Sequence, residues 1–272
     1  MAVISVGTSG WRYACWRGDF YPRGLPQRRE LEHLASRLTA LELNSSFYSL
    51  QRPTTYQRIA GETPDDFVVA VKGGRYLTHL RRLRDVRAPL ANFLASGVLA
   101  LGPRLGPLLW QLPPDLRYDE RLVADFLDLL PRTTGAAAEL AREHDDKLAD
   151  DRALTTTDAD RPLRHALEPR HASFGEPEAV ELLRDRGVAL VVSDNPGAWP
   201  CFDEVTADHV YVRLHGHTEL YASGYSSRSL DAWARRCRAW RADGRDVLVF
   251  FDNDARGRAP HDAEALLARL EV

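Results

Sequence analysis

The stretch His-Val-Tyr-Val-Arg-Leu-His-Gly-His, residues 209–217, decides how the rest of the chain is interpreted. Its side chains alternate from Val210 to Leu214 in the way that predicts a β-strand. In such a strand, Tyr211, Arg213 and His215 point to the same side. In a strand that begins with apolar residues and ends in Arg, His and Gly, the side chains suited to catalysis or binding lie at the C-terminal end.

Seven other segments have the length and apolar content of buried strands, and patterns typical of helices separate most of them. The strands are predicted at residues 3–8, 40–44, 67–72, 108–111, 163–170, 189–193 and 247–251. Eight strands alternating with helices in 272 residues predict an α/β protein with a TIM-barrel-like, closed parallel (β/α)8 barrel, in a single domain over residues 1–272. An open doubly wound sheet is the alternative, but residues 7–10 lack the third glycine and the following helix of its phosphate-binding turn.

Two segments between strands have distinctive patterns. Residues 81–94 have a helical composition, and Pro89 marks a helix start within them. Residues 133–161 are Ala-rich, then acidic, and end near three consecutive threonines, so they are interpreted as a part-helical, part-loop insertion. Because the insertion connects a helix to a strand, we expect it at the end of the barrel opposite the strand tips, with an effect on stability or association.

Composition narrows the class of protein. The net charge of −3 gives no general attraction to nucleic acid or anionic membranes, and no run approaches the ~20 apolar residues of a membrane span. The first residues follow a strand pattern and lack the regions of a signal peptide, so we expect a cytoplasmic protein. Cys15, Cys201 and Cys237 are widely spaced, which fits a reducing compartment and argues against a structural zinc site.

Lysine is rare in this chain. Of 36 basic residues only Lys72 and Lys147 are lysines, which leaves 34 arginines. Lys72 ends the third predicted strand. Arginine cannot lose its proton in a protein, so a lysine retained at this position suggests a role that arginine cannot fill.

Many short motifs occur in a fixed order along almost the whole chain. They are Gly7-Thr-Ser-Gly-Trp11, Trp16-Arg-Gly-Asp-Phe-Tyr-Pro22, Glu42-Leu-Asn-Ser-Ser-Phe-Tyr48, Val71-Lys-Gly73, Gln111-Leu-Pro-Pro114, Glu168-Pro-Arg-His171, Arg213-Leu-His-Gly216 and Asp252-Asn-Asp-Ala255. In these motifs the chain resembles the YecE-like family, domain of unknown function 72 (DUF72). The resemblance implies a TIM-barrel-like fold and no particular activity. Ala172 and Phe174 depart from the Pro and Trp usual in the family, and the 133–161 insertion is longer than in many members.

The predicted barrel brings the strand ends together, because all parallel strands finish on one face, where barrel enzymes hold their sites. The candidate catalytic residues are Glu42, Lys72, Glu168 and His215. The candidate substrate-binding residues are Trp11, Asn44, Tyr48, Gln111, Arg170, His171, Asp194, Arg213 and Asn253.

The charged candidates have both chemical and structural interpretations. Lys72 could act as a Schiff-base nucleophile, a general base or a phosphate clamp, or could form an ion pair with Glu42 or Glu168. The two glutamates could form an acid/base pair across the barrel, or salt bridges to Lys72, Arg170 and Arg213.

Metal binding is not expected. His171 and His215, with Glu42, Glu168 and Asp194, are ligand types for a divalent cation, but the basic residues on the same face raise the electrostatic cost of one. We expect no metal and no other cofactor.

Two surface features also have two interpretations. The aromatic loop from Trp11 to Tyr21 could stack on a sugar or a base, or could pack down as a plug. The basic run at residues 81, 82, 84 and 87 is either a solvated helix face or a contact to a phosphate backbone.

Two functions remain open. One is a metal-independent hydrolase, lyase or isomerase acting on a small polar or anionic metabolite, sugar- or phosphate-like, with Arg170 and Arg213 as clamps. The other is a non-catalytic module that binds a ligand or nucleic acid in the same pocket at the barrel mouth. The number of titratable groups favours the enzyme and a small ligand over nucleic acid, and no membrane partner is expected.

Overall fold

The structure, a computed structural model, describes residues 2–270. The strands of this range are β1 Ile4–Ser9, β2 Ala40–Leu43, β3 Val68–Lys72, β4 Leu105–Gln111, β5 His165–Glu168, β6 Ala189–Leu190, β7 Val192–Asp194, β8 His209–Leu214 and β9 Asp246–Phe251. Its α-helices are α1 Glu30–Ala35, α2 Ser45–Tyr48, α3 Pro53–Gly61, α4 Arg87–Ala95, α5 Glu120–Leu129, α6 Thr134–Ala141, α7 Pro177–Asp185, α8 Ser227–Ala242 and α9 Ala259–Leu270. Within the described range, no helix is long and apolar enough to span a membrane.

All strand pairs are parallel, in the order β6-β5-β4-β3-β2-β1-β9-β8-β7. Only Val191 separates β6 from β7, and its N–H donates to the carbonyl of Leu167 in β5 at 2.9 Å. The two short strands are therefore halves of one interrupted strand, which pairs with β5 through one half and with β8 through the other. This confirms the TIM-barrel-like prediction, with the sixth of eight predicted strands split in two.

Side chains alternate between the inside of the barrel and the helical layer. The outward residues, such as Val6, Leu41 and Val212, belong to the large core under the helices. A separate apolar cluster fills the interior. Its members are Ala40, Ala70, Leu109, Ala166, Ala189, Val191, Tyr211, Leu248 and Phe250. Because side chains repeat with a period of two, the next inward position of several strands is a polar residue at the C-terminal end.

The prediction of a helix over residues 81–94 is wrong for its first part. The chain forms a π-helical turn at Tyr76–Leu80, and α4 begins only at Arg87, with Pro89 in its first turn. Between them Arg82, Leu83 and Asp85 adopt left-handed φ values of 51°, 67° and 49°. Leu83 is buried there and Arg82 donates to Asp115, so tertiary contacts override the helical composition.

The segment 133–161 extends along α4. Its helix α6 packs on α4, Glu143 pairs with Arg87 at 2.6 Å, and the Lys147 amine lies 5.5 Å from the centre of the Tyr76 ring. Arg87 and Tyr76 follow the C-terminal end of β3. The expectation that the insertion stays at the opposite end is therefore wrong for its tip, because α6 extends about 12 Å along the barrel wall.

Candidate functional site

Arg213, at the inner face of β8, is the centre of an ion network. Its Nε and Nη2 atoms donate to the two oxygens of Glu42 at 3.0 and 2.8 Å. Its Nη1 donates to Glu168 at 2.8 Å, and Nη2 also reaches Asp252 at 3.0 Å. The guanidinium is 1% exposed. One cation thus joins carboxylates from β2, β5 and the end of β9.

Neutral donors complete the shell around Glu42. The Tyr211 hydroxyl donates to Glu42 Oε2 at 2.7 Å, and the Ser9 hydroxyl donates to Oε1. The Asn44 amide in turn donates to the Ser9 oxygen at 2.6 Å. Both oxygens of Glu42 are satisfied, so this carboxylate is a fixed part of the barrel interior.

The pKa values of the network follow from its pairing. Burial raises the pKa of Glu168, but Arg213, Arg170 and His215 more than offset it and hold that pKa well below its usual range. The same balance lowers the pKa of Asp252 to about 2. Burial lowers the pKa of Arg213, but its three carboxylates raise it well above the ordinary value. These groups keep their charges through the physiological pH range.

This network changes the interpretation of three candidates. Glu42 and Glu168 pair with Arg213, and in the described chain neither makes an ion pair with Lys72. Arg213 uses its donors on the carboxylates and is not available as a ligand clamp. A catalytic role for either glutamate stays a prediction.

His215 follows β8 and lies between two carboxylates. Its Nδ1 is 3.0 Å from Asp252 Oδ2, and its Nε2 is 3.3 Å from Glu168 Oε1 without the alignment of a hydrogen bond. Trp199 and Tyr221 contact the ring edge to face. Gly216, at φ 104°, then turns the chain away from the barrel, a conformation that glycine adopts readily.

Lys72 has a different environment. Its Nζ donates to the side-chain oxygen of Gln111 at 2.7 Å and lies 4.4 Å from the centre of the Phe47 ring. Among residues 2–270, no carboxylate oxygen is within ion-pair distance of this amine. Burial, with the nearby Arg213 charge, lowers the pKa of Lys72 to about 8.

His79 is a site residue that sequence analysis missed. Its ring packs edge to face on Phe47, with ring centres 5.1 Å apart, and its Nε2 is 3.5 Å from the Gln111 amide nitrogen. Burial, then the positive charges of Lys72 and Arg170, lowers the pKa of His79 to about 4, so the ring is neutral at pH 7. The π-helical turn places it there, and no sequence pattern indicates such a turn.

Arg170 supplies the second cation near the opening. Its guanidinium carbon lies 3.7 Å from the centre of the Trp199 ring. The contact from its Nη2 to Glu168 is 3.4 Å long, and within residues 2–270 its buried Nε has no hydrogen-bond partner. Stacking on Trp199 fixes the plane of this guanidinium.

Two candidates at the barrel end contact protein groups and do not join the Lys72 neighbourhood. The Asn253 amide donates to Ser223 and Asp262, toward the helical layer. The Nδ1 of His171 accepts from the backbone N–H of Ser173, which caps a short helical turn.

Three other candidates lie at the edge of the site. Trp11 is buried, and the loop that follows it packs down as an aromatic plug, in agreement with one of its two interpretations. Tyr48 is 72% exposed on the rim. Asp194 lies 3.4 Å from His217, outside the ion network.

The basic run after β3 is largely neutralised by neighbours. Arg81 pairs with Asp85, Arg82 with Asp115 and Arg87 with Glu143. These pairs favour the solvated-surface interpretation over a contact to a phosphate backbone.

The residues proposed as metal ligands come together only in part, since His215 lies 3.3 Å from Glu168 whereas His171 and Asp194 contact other groups. In the described part of the chain, no three His, Cys, Asp or Glu side chains are grouped as a metal site would require. Glu42, Glu168 and Asp252 do approach one another, but the Arg213 guanidinium occupies the position between them.

An open cavity lies at the other end of the barrel. It has a volume of about 930 Å³, and its wall includes Ser5, Val68, Gly106 and Leu248. Arg164 at its edge is paired with Asp208 and Asp246. Lys72, Glu168, Arg213 and Asp252 lie at the C-terminal mouth, at the end of the barrel opposite this cavity.

Comparison with known proteins places the chain in a family. The model of the family described as "Protein of unknown function DUF72" matches residues 5–272. The chain belongs to the DUF72 family. The DUF72 chain is also similar to UPF0759 protein YunF of Bacillus subtilis (strain 168), with 22% identity over 308 residues that cover 99% of this chain and 95% of that protein.

Two crystal structures of DUF72 family proteins share the fold. The protein TM1631 from Thermotoga maritima MSB8 is 24% identical, has a TM-score of 0.77, and covers 99% of this DUF72 chain and 100% of its own. The protein EF0366 from Enterococcus faecalis V583 is 15% identical, has a TM-score of 0.74, and covers 99% and 96%. At these identities the similarity establishes the barrel fold of DUF72 proteins. Any activity has to be argued from the residues of the site.

Proposed function

We propose that this protein is a metal-independent enzyme that acts on a small anionic metabolite at the C-terminal mouth of the barrel. Lys72 is the reacting amine, and Arg170 binds the anionic group of the substrate. The reaction class is acid/base chemistry of a hydrolase, lyase or isomerase. This proposal keeps the small polar ligand as partner and requires no cofactor.

The environment of Lys72 carries the proposal. Lys72 is 8% exposed, and its amine donates to the uncharged oxygen of Gln111 and has no carboxylate partner within 4.0 Å in the described chain. With a pKa of about 8, roughly a tenth of this amine is neutral at pH 7. A structural lysine would gain stability from a counterion, and three carboxylates nearby are committed to Arg213 instead.

The other candidates take supporting roles in this proposal. The Arg213 network holds β2, β5 and β8 in register, so that the strand ends present Lys72 and Gln111 in fixed positions. His215 remains a candidate for proton transfer, since its ring bridges Asp252 and Glu168. Arg170, stacked on Trp199, is the cation best placed to orient a carboxylate or phosphate.

A reducing location agrees with the cysteines. Cys15 and Cys201 are exposed and Cys237 is buried, and all three are free thiols. We propose a cytoplasmic location on this basis.

Turnover in a cell extract tests the proposal, with the second lysine as a matched control. Wild type, Lys72→Arg and Lys147→Arg are incubated with a small-molecule extract, and depleted compounds are identified by mass spectrometry. We expect wild type and Lys147→Arg to deplete the same anionic compound, and Lys72→Arg to lose at least about 10²-fold in rate because arginine cannot deprotonate.

Two results would oppose the proposal. Undiminished turnover by Lys72→Arg would show that Lys72 is not the reacting group. A compound that binds wild type without being converted would favour the non-catalytic binding module.

A further inference from the structure

The mouth of the barrel contains few groups able to attack an electrophile. Glu42, Glu168 and Asp252 are bound to Arg213, and the hydroxyls of Ser9 and Tyr211 donate to Glu42. Attack by any of these oxygens would break the network. The Lys72 amine, which makes no hydrogen bond to these groups within residues 2–270, can attack while the network stays intact.

The position of the amine suits attack on carbon. Its one side-chain acceptor is the amide oxygen of Gln111, which does not take a proton at neutral pH. The Phe47 ring covers one side of the amine and excludes water from it. An imine formed at this position would be shielded from hydrolysis on that side.

The turn that carries His79 leads into a loop of unusual conformation. Arg82, Leu83 and Asp85 have left-handed φ values, and contacts from Arg82 to Asp115 fix the loop. The π-helical turn just before it sets the neutral His79 ring against Phe47 and Gln111. An irregular turn thus places a neutral imidazole beside the two residues that contact the Lys72 amine.

The unpaired donors of Arg170 indicate what else the ligand carries. Its guanidinium plane is fixed on Trp199, and among residues 2–270 neither its buried Nε nor the buried ring nitrogen of Trp199 has a hydrogen-bond partner. A carboxylate or phosphate satisfies such donors in a bidentate way.

We propose that Lys72 forms a protonated imine with the carbonyl carbon of a ligand that bears a carboxylate or phosphate, such as an oxo acid or a phosphorylated aldehyde. This inference rests on the proposed function and narrows it to carbonyl chemistry. The Nζ atom bonds to the carbonyl carbon, and the carbon–oxygen bond breaks. The ammonium and the carbonyl compound become a protonated imine and water. Both hydrogens of that water come from the ammonium, and the total charge is unchanged.

Reductive trapping tests the imine directly. The full chain is incubated with sodium cyanoborohydride and either pyruvate, glyceraldehyde 3-phosphate or the uncharged propionaldehyde, and the two lysines are compared by peptide mass spectrometry. With the anionic probes we expect Lys72 to be labelled about tenfold or more above Lys147, because Arg170 holds the anionic group and the Gln111 contact holds the Lys72 amine in a fixed position. The rate of labelling should rise as the pH approaches 8.

Arg170→Met separates anion binding from amine reactivity. We expect it to reduce labelling of Lys72 by pyruvate and glyceraldehyde 3-phosphate about tenfold and to leave labelling by propionaldehyde unchanged. Circular dichroism of the variant checks that the barrel is folded. Equal loss with the uncharged aldehyde would overturn the assignment of Arg170 as the anion clamp.

Labelling of Lys72 no faster than Lys147 would overturn the imine. If Lys72→Arg then still abolishes turnover in the extract experiment, only the imine proposal is rejected. The proposed function stands, with Lys72 acting as an acid or base. If Lys72→Arg turns over normally, the proposed function fails as well.

Discussion

Arg213 and Lys72 are both inward cations at the C-terminal ends of strands, and both are almost completely buried. Arg213 contacts three carboxylates, while Lys72 contacts an amide oxygen and an aromatic ring. The surroundings raise the pKa of Arg213 well above its ordinary value and lower the pKa of Lys72 to about 8. Burial is similar, so the presence of counterions decides the outcome.

The difference shows how one barrel mouth holds a permanent charge and a titratable one. A buried charge is costly unless it is paired and hydrogen-bonded. Arg213 has such ion pairs, whereas Lys72 has none among the described residues. The arginine is therefore suited to hold strands together, and the lysine is suited to react or to bind an anion.

Of the variants proposed, Arg213→Met should change the free energy of unfolding most. It leaves Glu42, Glu168 and Asp252 buried without their cation, and we expect a loss of about 3–5 kcal/mol in the free energy of unfolding at pH 7. The pKa values of Glu168 and Asp252 would then no longer be depressed. Denaturant unfolding at several pH values measures both effects, and the deficit should shrink as the pH falls toward 5, because the carboxylates take up protons.

Two further variants control this experiment. Arg213→Lys keeps the charge and should fold with part of the loss, so a result remains if the methionine variant fails to fold. Arg121→Met removes an exposed arginine of α5 and should leave unfolding unchanged. A methionine variant as stable as wild type would show that the network is not structural.

Lys72→Met should instead increase the free energy of unfolding. The pKa of Lys72 falls from 10.5 to about 8 on folding, so the charged amine destabilises the native state by roughly 3 kcal/mol at pH 7. We expect the variant to be more stable than wild type by up to about that amount, less roughly 1 kcal/mol for the unpaired Gln111 oxygen.

The pH dependence of that gain identifies its cause. For a depressed lysine, the native state gains stability as pH rises from 8 to 10.5, since the unfolded chain holds the proton longer. The difference in the free energy of unfolding between Lys72→Met and wild type should therefore decrease over this range. An advantage that is constant up to pH 10.5 would mean that packing, not charge, is responsible.

Tyr211→Phe should have a smaller effect. It removes one donor from Glu42, which keeps the Ser9 hydroxyl and two donors of Arg213, and we expect a loss of about 1–2 kcal/mol in denaturant unfolding. Tyr21→Phe is the matched control, because that buried hydroxyl donates to the neutral backbone carbonyl of Trp11 at 2.7 Å. A loss in Tyr211→Phe no larger than in the control would weaken the view that Glu42 is a charged centre.

The sequence predicted the barrel well because its strand patterns depend on local alternation. The stretch around β8 placed Tyr211, Arg213 and His215 on one side, and Tyr211 and Arg213 are found inside the barrel. The same period of two, continued from Leu248 and Phe250, reaches Asp252, which contacts Arg213, whereas the side chain of the predicted site residue Asn253 contacts Asp262 in the helical layer. Strand alternation alone therefore indicates Asp252 as the inward residue.

Other features had no local signal. The pairing of Arg213 with the carboxylates needs contacts between strands far apart in the chain. His79 reaches the site through a π-helical turn, and the left-handed conformations that follow it contradict the helical composition of residues 81–94. Tertiary packing overrides propensity in both cases.

The Arg213 network also bears on how the barrel folds and opens. The partners Ser9, Glu42, Glu168 and Asp252 lie 204, 171, 45 and 39 residues from Arg213 in sequence. Loops of that length must close before these contacts form, so we expect the network to assemble only once β1, β2, β5 and β9 have met β8. Interactions that form after the transition state slow unfolding and leave the folding rate nearly unchanged. We therefore expect the network to slow the unfolding of the barrel more than it changes the rate of folding.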